Sequence, residues 1–129
     1  MQASCRRLMT FAILAFVGMP LCAAEHTQDS LDTVKQNVAG ERAVLIDVRE
    51  QSEWDAGHID GAVLVPLSKL KGGDNPESLS KDRIIYAHCR SGKRCLAAAD
   101  ILTKLGYDVR PLKAGYEDLL KAGFKKAEE

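Results

Sequence analysis

The sequence predicts an α/β fold in which a small parallel sheet carries helices on both faces. Two observations lead there. The strand-like runs at 43–48, 62–65, 84–88 and 108–112 are short, apolar and rich in Val and Ile, as strands covered on both faces are. Segments of helical character separate them, and consecutive parallel strands need such crossovers.

Each element has its own signal. Ser30 or Asp29 can cap a helix that places Leu31, Val34 and Val38 on one face and stops at Gly40. Residues 25–29 read as a polar lead. Residues 43–48 (AVLIDV) form the first strand. Ser52-Glu53-Trp54-Asp55 has serine–acid capping-box spacing, which predicts a single-turn helix running to Gly57. The second strand, 62–65, ends at Pro66, and the Gly-, Asp-, Asn- and Pro-rich segment 71–76 reads as a surface loop. Residues 84–88 form the third strand and 89–94 a turn. Ala97, Ala98, Ile101, Leu102 and Leu105 recur at helical spacing before Gly106, which marks the clearest helix. Pro111 places the fourth strand, 108–112, at or near an edge. A turn and short helix span 115–122, and the polar tail after Phe124 reads as frayed.

The first 24 residues read as an export signal rather than as part of the domain. Arg6 and Arg7 form a positive n-region, residues 8–17 are uncharged and mostly apolar, and Cys22-Ala23-Ala24 offers small residues for cleavage before Glu25. The apolar stretch falls short of the roughly 20 residues of a spanning helix; an uncleaved N-terminal anchor is the alternative. Leu21 is bulky for a lipid-modified Cys22, and the arginine pair alone is weak evidence for twin-arginine export. A signal at 1–24 leaves a domain at 25–129 and points to the periplasm, with no membrane attachment after cleavage. Two of the 18 basic residues leave with the signal and none of the 18 acids, so the net charge of the domain is −2. That balance gives no footprint for nucleic acid or an anionic membrane surface. Cys5 and Cys22 leave too, so Cys89 and Cys95 remain, a pair that is neither a disulfide framework nor zinc-finger spacing.

The chemistry concentrates in Cys89-Arg90-Ser91-Gly92-Lys93-Arg94, between a strand and a helix. A thiol there faces the next helix's N-terminus, where unsatisfied N–H groups and the dipole favour negative charge. Arg90, Lys93 and Arg94 add positive charge, and Gly92 lets successive N–H groups form a concave nest. Together these features predict a thiolate at neutral pH.

At this point the sequence resembles the rhodanese-like domain family. The ordered pieces are Leu45-Ile46-Asp47-Val48-Arg49, Glu53-Trp54, Gly57-His58-Ile59-Asp60-Gly61-Ala62, Pro66, the Cys89 loop, Leu105-Gly106-Tyr107 and Gly115-Tyr116. The resemblance implies a three-layer α/β sandwich whose loop cradles the sulfur of Cys89. It also implies a sulfurtransferase: Cys89 takes sulfur from a donor such as thiosulfate as a persulfide and passes it to cyanide, a thiol or a protein acceptor, with no cofactor. Related phosphatases and arsenate reductases carry Cys-x5-Arg. Here the sixth position after Cys89 is Cys95, and the arginine comes one earlier, at Arg94.

Asp47 and Arg49 end the first strand near this loop, either supporting it or forming a structural salt bridge. Trp54 and His58 read as packing and turn-bracing residues, and His88 as a packing residue, since neighbours on a strand point to opposite faces. No His/Asp/Glu cluster has metal-ligand spacing. Cys95 has two readings, a redox partner for Cys89 or a small residue filling the helix start. Two other functions therefore stand beside sulfur transfer: a thiol–disulfide oxidoreductase using Cys89 and Cys95, and a sulfur-carrier or binding module. The absence of C-x-x-C counts against the first of these.

Overall fold

The computed structural model describes residues 23–128; the expected signal, up to residue 22, lies outside the described residues. Nine elements follow in order: α1 (Leu31–Ala39), β1 (Ala43–Asp47), α2 (Gln51–Ala56), β2 (Val63–Leu64), α3 (Leu67–Lys71), β3 (Ile84–His88), α4 (Arg94–Lys104), β4 (Asp108–Pro111) and α5 (Tyr116–Lys121). The strands form one parallel sheet in the order β2-β1-β3-β4. Pro111 lies on the edge strand, where its missing N–H breaks no ladder.

Alternation along the central strands builds two cores. Leu45 of β1 and Tyr86 of β3 pack with Val34 of α1 and Leu119 of α5. Ile46, Ile85 and Ala87 face the other way, against Leu67 and Leu70 of α3 and Ala98 and Leu102 of α4. The result is a three-layer α/β sandwich, as the sequence predicts. Register aligns the carboxyl ends: Asp47 pairs with Leu64 and with His88, and Ala87 pairs with Pro111. The segments leaving β1, β3 and β4 therefore converge on one rim, where parallel sheets place ligands.

Four local expectations are corrected. Helix α2 is capped at Glu50 rather than Ser52, and the Glu50 N–H donates to the Glu53 carboxylate at 3.3 Å. The serine–acid spacing occurs here as Glu50–Glu53, two residues earlier, and Ser52 sits exposed inside the turn. Helix α3 lacks a sequence signal because its five residues offer only one apolar pair, Leu67 and Leu70, both buried. The tail does not fray: Asp60 N–H donates to the Lys125 carbonyl at 2.8 Å and Ala127 N–H to the His58 carbonyl at 2.9 Å, so the tail supplies main-chain partners to the turn after α2. Nor is 25–29 a loose lead. Thr27 N–H donates to the Pro111 carbonyl at 2.8 Å, and Asp29 accepts from Tyr86 Oη at 2.7 Å and from Arg110 at 2.9 Å.

His58 stacks on Trp54 at 3.7 Å, and its Nδ1 lies 3.0 Å from the Trp54 carbonyl, which braces that turn.

Candidate active site

The site begins where β3 ends. Residues 89–93 turn the chain from His88 into α4, and Gly92, at φ +87°, takes the left-handed conformation that glycine adopts without strain. Its N–H then donates to Cys89 Sγ at 3.1 Å. A second glycine sets the loop from outside. A Cβ on Gly115 would lie 1.8 Å from the Arg90 carbonyl, so only glycine lets the start of α5 approach this closely. Beside it, Tyr116 N–H donates to the Cys89 carbonyl at 2.9 Å.

Cys89 is fully buried, and its thiol is pulled down to about 5. The largest cause is a hydrogen bond from the Cys95 thiol, joined by the backbone N–H groups of Cys95, Ser91 and Gly92; burial opposes them. The Cys95 thiol is pushed far up, first by that same hydrogen bond and then by burial. Its sulfur also lies 3.1 Å from the Gly92 carbonyl and 3.3 Å from that of Leu112. The expected nest of N–H groups is therefore present, whereas the cations act less directly than the sequence suggests. Arg90 and Lys93 are exposed. Arg94 is turned to Glu53, with contacts of 2.5 and 2.9 Å. The Glu53 carboxyl is held down to about 2, chiefly by that guanidinium.

This arrangement sets a pH expectation. The alkylation rate of Cys89 by iodoacetamide should follow a titration near pH 5. Losing a hydrogen bond to a charged sulfur costs about 1.5–3 kcal/mol, so Cys95→Ala should raise the midpoint by roughly 1–2 pH units. Cys95→Ser, which keeps a donor, should stay near the parent. An unchanged midpoint in the alanine variant would remove Cys95 from the account. A thiol acidified on folding binds fewer protons than in the unfolded chain between the two values. Its stabilisation is thus complete above the unfolded pKa of roughly 8.5 and fades as pH falls toward 5.

Asp47 and Arg49 form a buried ion pair at the same rim, with Arg49 Nη2 2.7 Å from Asp47 Oδ2 and 2.7 Å from the Gly57 carbonyl. The guanidinium lies 4.2 Å from the centre of the Tyr116 ring. The pair is a buried salt bridge whose arginine borders a cleft of about 400 Å³, lined also by Tyr116, Arg90, Glu53, Glu117 and Lys126. His88 is buried on the other side of Asp47, its Nε2 3.8 Å away and both ring nitrogens without a hydrogen-bond partner. Burial first of all holds its pKa down, so it stays neutral. Among the described residues no group of three His, Cys, Asp or Glu could hold a metal ion.

The fold thus brings Cys89, Ser91, Gly92, Arg94, Cys95, Asp47 and Arg49 together. It places Arg90 in the cleft wall and leaves Lys93 exposed at the N-cap of α4. Glu53, Gly115 and Tyr116 belong to motif pieces visible in the sequence, but their contacts with the loop are set by folding. Glu117 and Lys126 have no sequence signal at all.

Comparisons with known proteins identify the family and the fold. The family model for the rhodanese-like domain matches residues 30–122. An uncharacterised Bacillus subtilis protein, YqhL, is 36% identical over 114 residues, covering 85% of this chain and 87% of that one. A human thiosulfate:glutathione sulfurtransferase is 34% identical over 60% of this chain and 78% of its own length. A probable adenylyltransferase/sulfurtransferase of Mycobacterium tuberculosis, MoeZ, is 39% identical over 54% of this chain, and the match spans only 18% of that protein. Among solved structures, a human single-domain sulfurtransferase superposes with a TM-score of 0.59 at 29% identity, over 72% of this chain and 94% of that one. The Alr3790 protein of Anabaena gives 0.67 at 25% identity, over 77% and 79%. With its ordered motifs, its parallel sheet and its cysteine loop all accounted for, the chain belongs to the family of rhodanese-like domains.

Proposed function

We propose that this chain is a sulfurtransferase that carries sulfane sulfur on Cys89, taking it from an anionic donor such as thiosulfate and passing it to a thiol, cyanide or a protein acceptor. The observation that carries the reading is the acidified Cys89 sulfur, held by backbone N–H groups beside a cleft that presents Arg49, Arg90 and Lys126. In the first half-reaction the thiolate attacks the outer sulfur of thiosulfate, the S–S bond of the donor breaks, and sulfite leaves with the electron pair. The N–H groups that held the thiolate then face the persulfide. In the second, a thiolate or cyanide attacks the outer sulfur, and Cys89 leaves as the thiolate it began as. Arg90 and Lys126, exposed at the cleft, would draw the anionic donor in. Two relatives named as sulfurtransferases support the general class of reaction.

Cys95 serves this reading as a proton-bearing partner. A thiol whose pKa is pushed far up is a poor nucleophile, which counts against dithiol cycling with Cys89. The export-signal pattern at 1–24 supports a periplasmic setting for the reaction, and the net charge of −2 for 25–129 supports small-molecule or protein partners over nucleic acid.

The test is the intact mass of the reduced protein before and after thiosulfate. A gain of one sulfur atom, removed by cyanide with formation of thiocyanate, is the expected result. No gain with thiosulfate or with 3-mercaptopyruvate would overturn the donor assignment.

A further inference from the structure

The Cys89 loop is held by one side chain that lies outside the family match. Residues 25–29 precede the region matched by the family model, 30–122, and run as a strap across the rim of the site. Thr27 N–H donates to the carbonyl of Pro111 in β4 at 2.8 Å, and Asp29 accepts from Arg110 at 2.9 Å and from Tyr86 Oη at 2.7 Å. Just before these anchors, His26 Nε2 lies 2.7 Å from the carbonyl of Gly92. A carbonyl only accepts, so Nε2 carries the proton and donates.

Gly92 is the residue whose N–H faces the Cys89 sulfur, and its space is closed on two sides. A Cβ there would lie 2.8 Å from the Lys113 carbonyl and 3.3 Å from His26 Nε2. Its carbonyl accepts from His26 and lies 3.1 Å from the Cys95 sulfur, so the peptide that follows Gly92 is held, which limits how far the glycine can turn away from the conformation that aims its N–H at Cys89. At a left-handed φ of +87° this glycine has wide rotational freedom unless its neighbours restrain it.

We infer that His26 is a positioning residue for the Cys89 thiolate, acting through the Gly92 carbonyl, and that the strap is a functional part of the site. The inference rests on the reading of Cys89 as the nucleophile. His26 touches neither sulfur nor substrate; it fixes the hydrogen-bond donor that does touch the sulfur.

The test compares His26→Phe, which keeps a ring without the donor, with His26→Gln, whose amide N–H can replace it. Two readouts are taken on the full chain: the pH midpoint of Cys89 alkylation by iodoacetamide, followed by peptide mass, and the rate of sulfur loading from thiosulfate. His26→Phe should raise the midpoint by roughly half to one pH unit and slow loading about threefold or more, while His26→Gln stays near the parent. Thermal melts separate folding from positioning: the two variants should melt alike and still differ in midpoint. Equal midpoints in parent, His26→Phe and His26→Gln would overturn the inference. So would equal shifts in both variants, since that result would trace to packing of the strap rather than to the donated hydrogen bond. Alkylation needs no sulfurtransferase activity. A parent that loads no sulfur therefore sinks the proposed function, while the His26 effect on the midpoint is still read independently.

Discussion

Cys89→Ser is expected to gain no sulfur from thiosulfate and to lose transfer to cyanide by on the order of 10³-fold or more. The reason is chemical rather than steric. A serine hydroxyl can accept from Gly92 N–H as the sulfur does at 3.1 Å, so the loop should keep its shape. It is not ionised near neutral pH, however, and oxygen does not form the persulfide that carries the reaction. The substitution also changes Cys95. The strongest influence holding that thiol protonated is its hydrogen bond to Cys89, and with serine there it should ionise more readily. The informative comparison is therefore Cys89→Ser beside Cys89→Ser/Cys95→Ser, read by intact mass and by thiocyanate release. Sulfur retained in the first and lost in the second would move the carrier to Cys95 and end the assignment of Cys89. Melting temperatures close to that of the parent should accompany the loss near pH 5, where the acidified thiol no longer adds stability; at pH 8 the serine variant should melt lower.

What could be read from the sequence, and what could not, divides along a physical line. Elements whose signal is local and long enough are legible: residues 84–88 are strand in both readings, Gly40 and Gly106 follow their helices, and Pro111 lies on the edge. Helix α3 is not legible, because a five-residue helix shows less than two turns of periodicity. The tail and the strap at 25–29 carry no pattern, since their order comes from main-chain bonds to distant carbonyls such as that of Pro111. The same holds at the site. Consecutive residues 89–94 announce an anion-holding loop, but Glu53, 41 positions from the Arg94 it pairs with, does not. The sequence invites the view that three cations acidify Cys89. In the structure one is paired, two are exposed, and the main cause is the hydrogen of the Cys95 thiol, whose direction depends on how α4 begins.

Arg49→Met should produce the largest loss of stability among single changes at the rim, about 3–5 kcal/mol near pH 8. Asp47 is fully buried, and its carboxylate receives three contacts of 2.7–3.0 Å from the guanidinium. Methionine fills similar space and withdraws the charge, leaving the carboxylate with the Arg49 backbone N–H at 3.0 Å and the His88 ring at 3.8 Å. The Gly57 carbonyl loses its donor as well. His88 gives the prediction its pH signature. Burial chiefly keeps that ring neutral; the charge of Asp47 pulls its pKa up and the charge of Arg49 pushes it down. Without the arginine, the Asp47 pull is opposed by burial alone, and His88 should take up a proton more easily. In the parent the folded His88 pKa lies below its unfolded value of roughly 6.5, so this ring costs stability as pH falls, and a higher folded pKa in the variant reduces that acid cost. The deficit of Arg49→Met relative to the parent should therefore be smaller at pH 5.5 than at pH 8, as measured by urea unfolding at both values. Asp47→Leu/Arg49→Met, which removes both buried charges, should recover much of the loss even though it lacks every polar contact of the pair. A deficit below about 1 kcal/mol at pH 8, or one independent of pH, would mean that water reaches Asp47 and that the ion pair does not hold the rim.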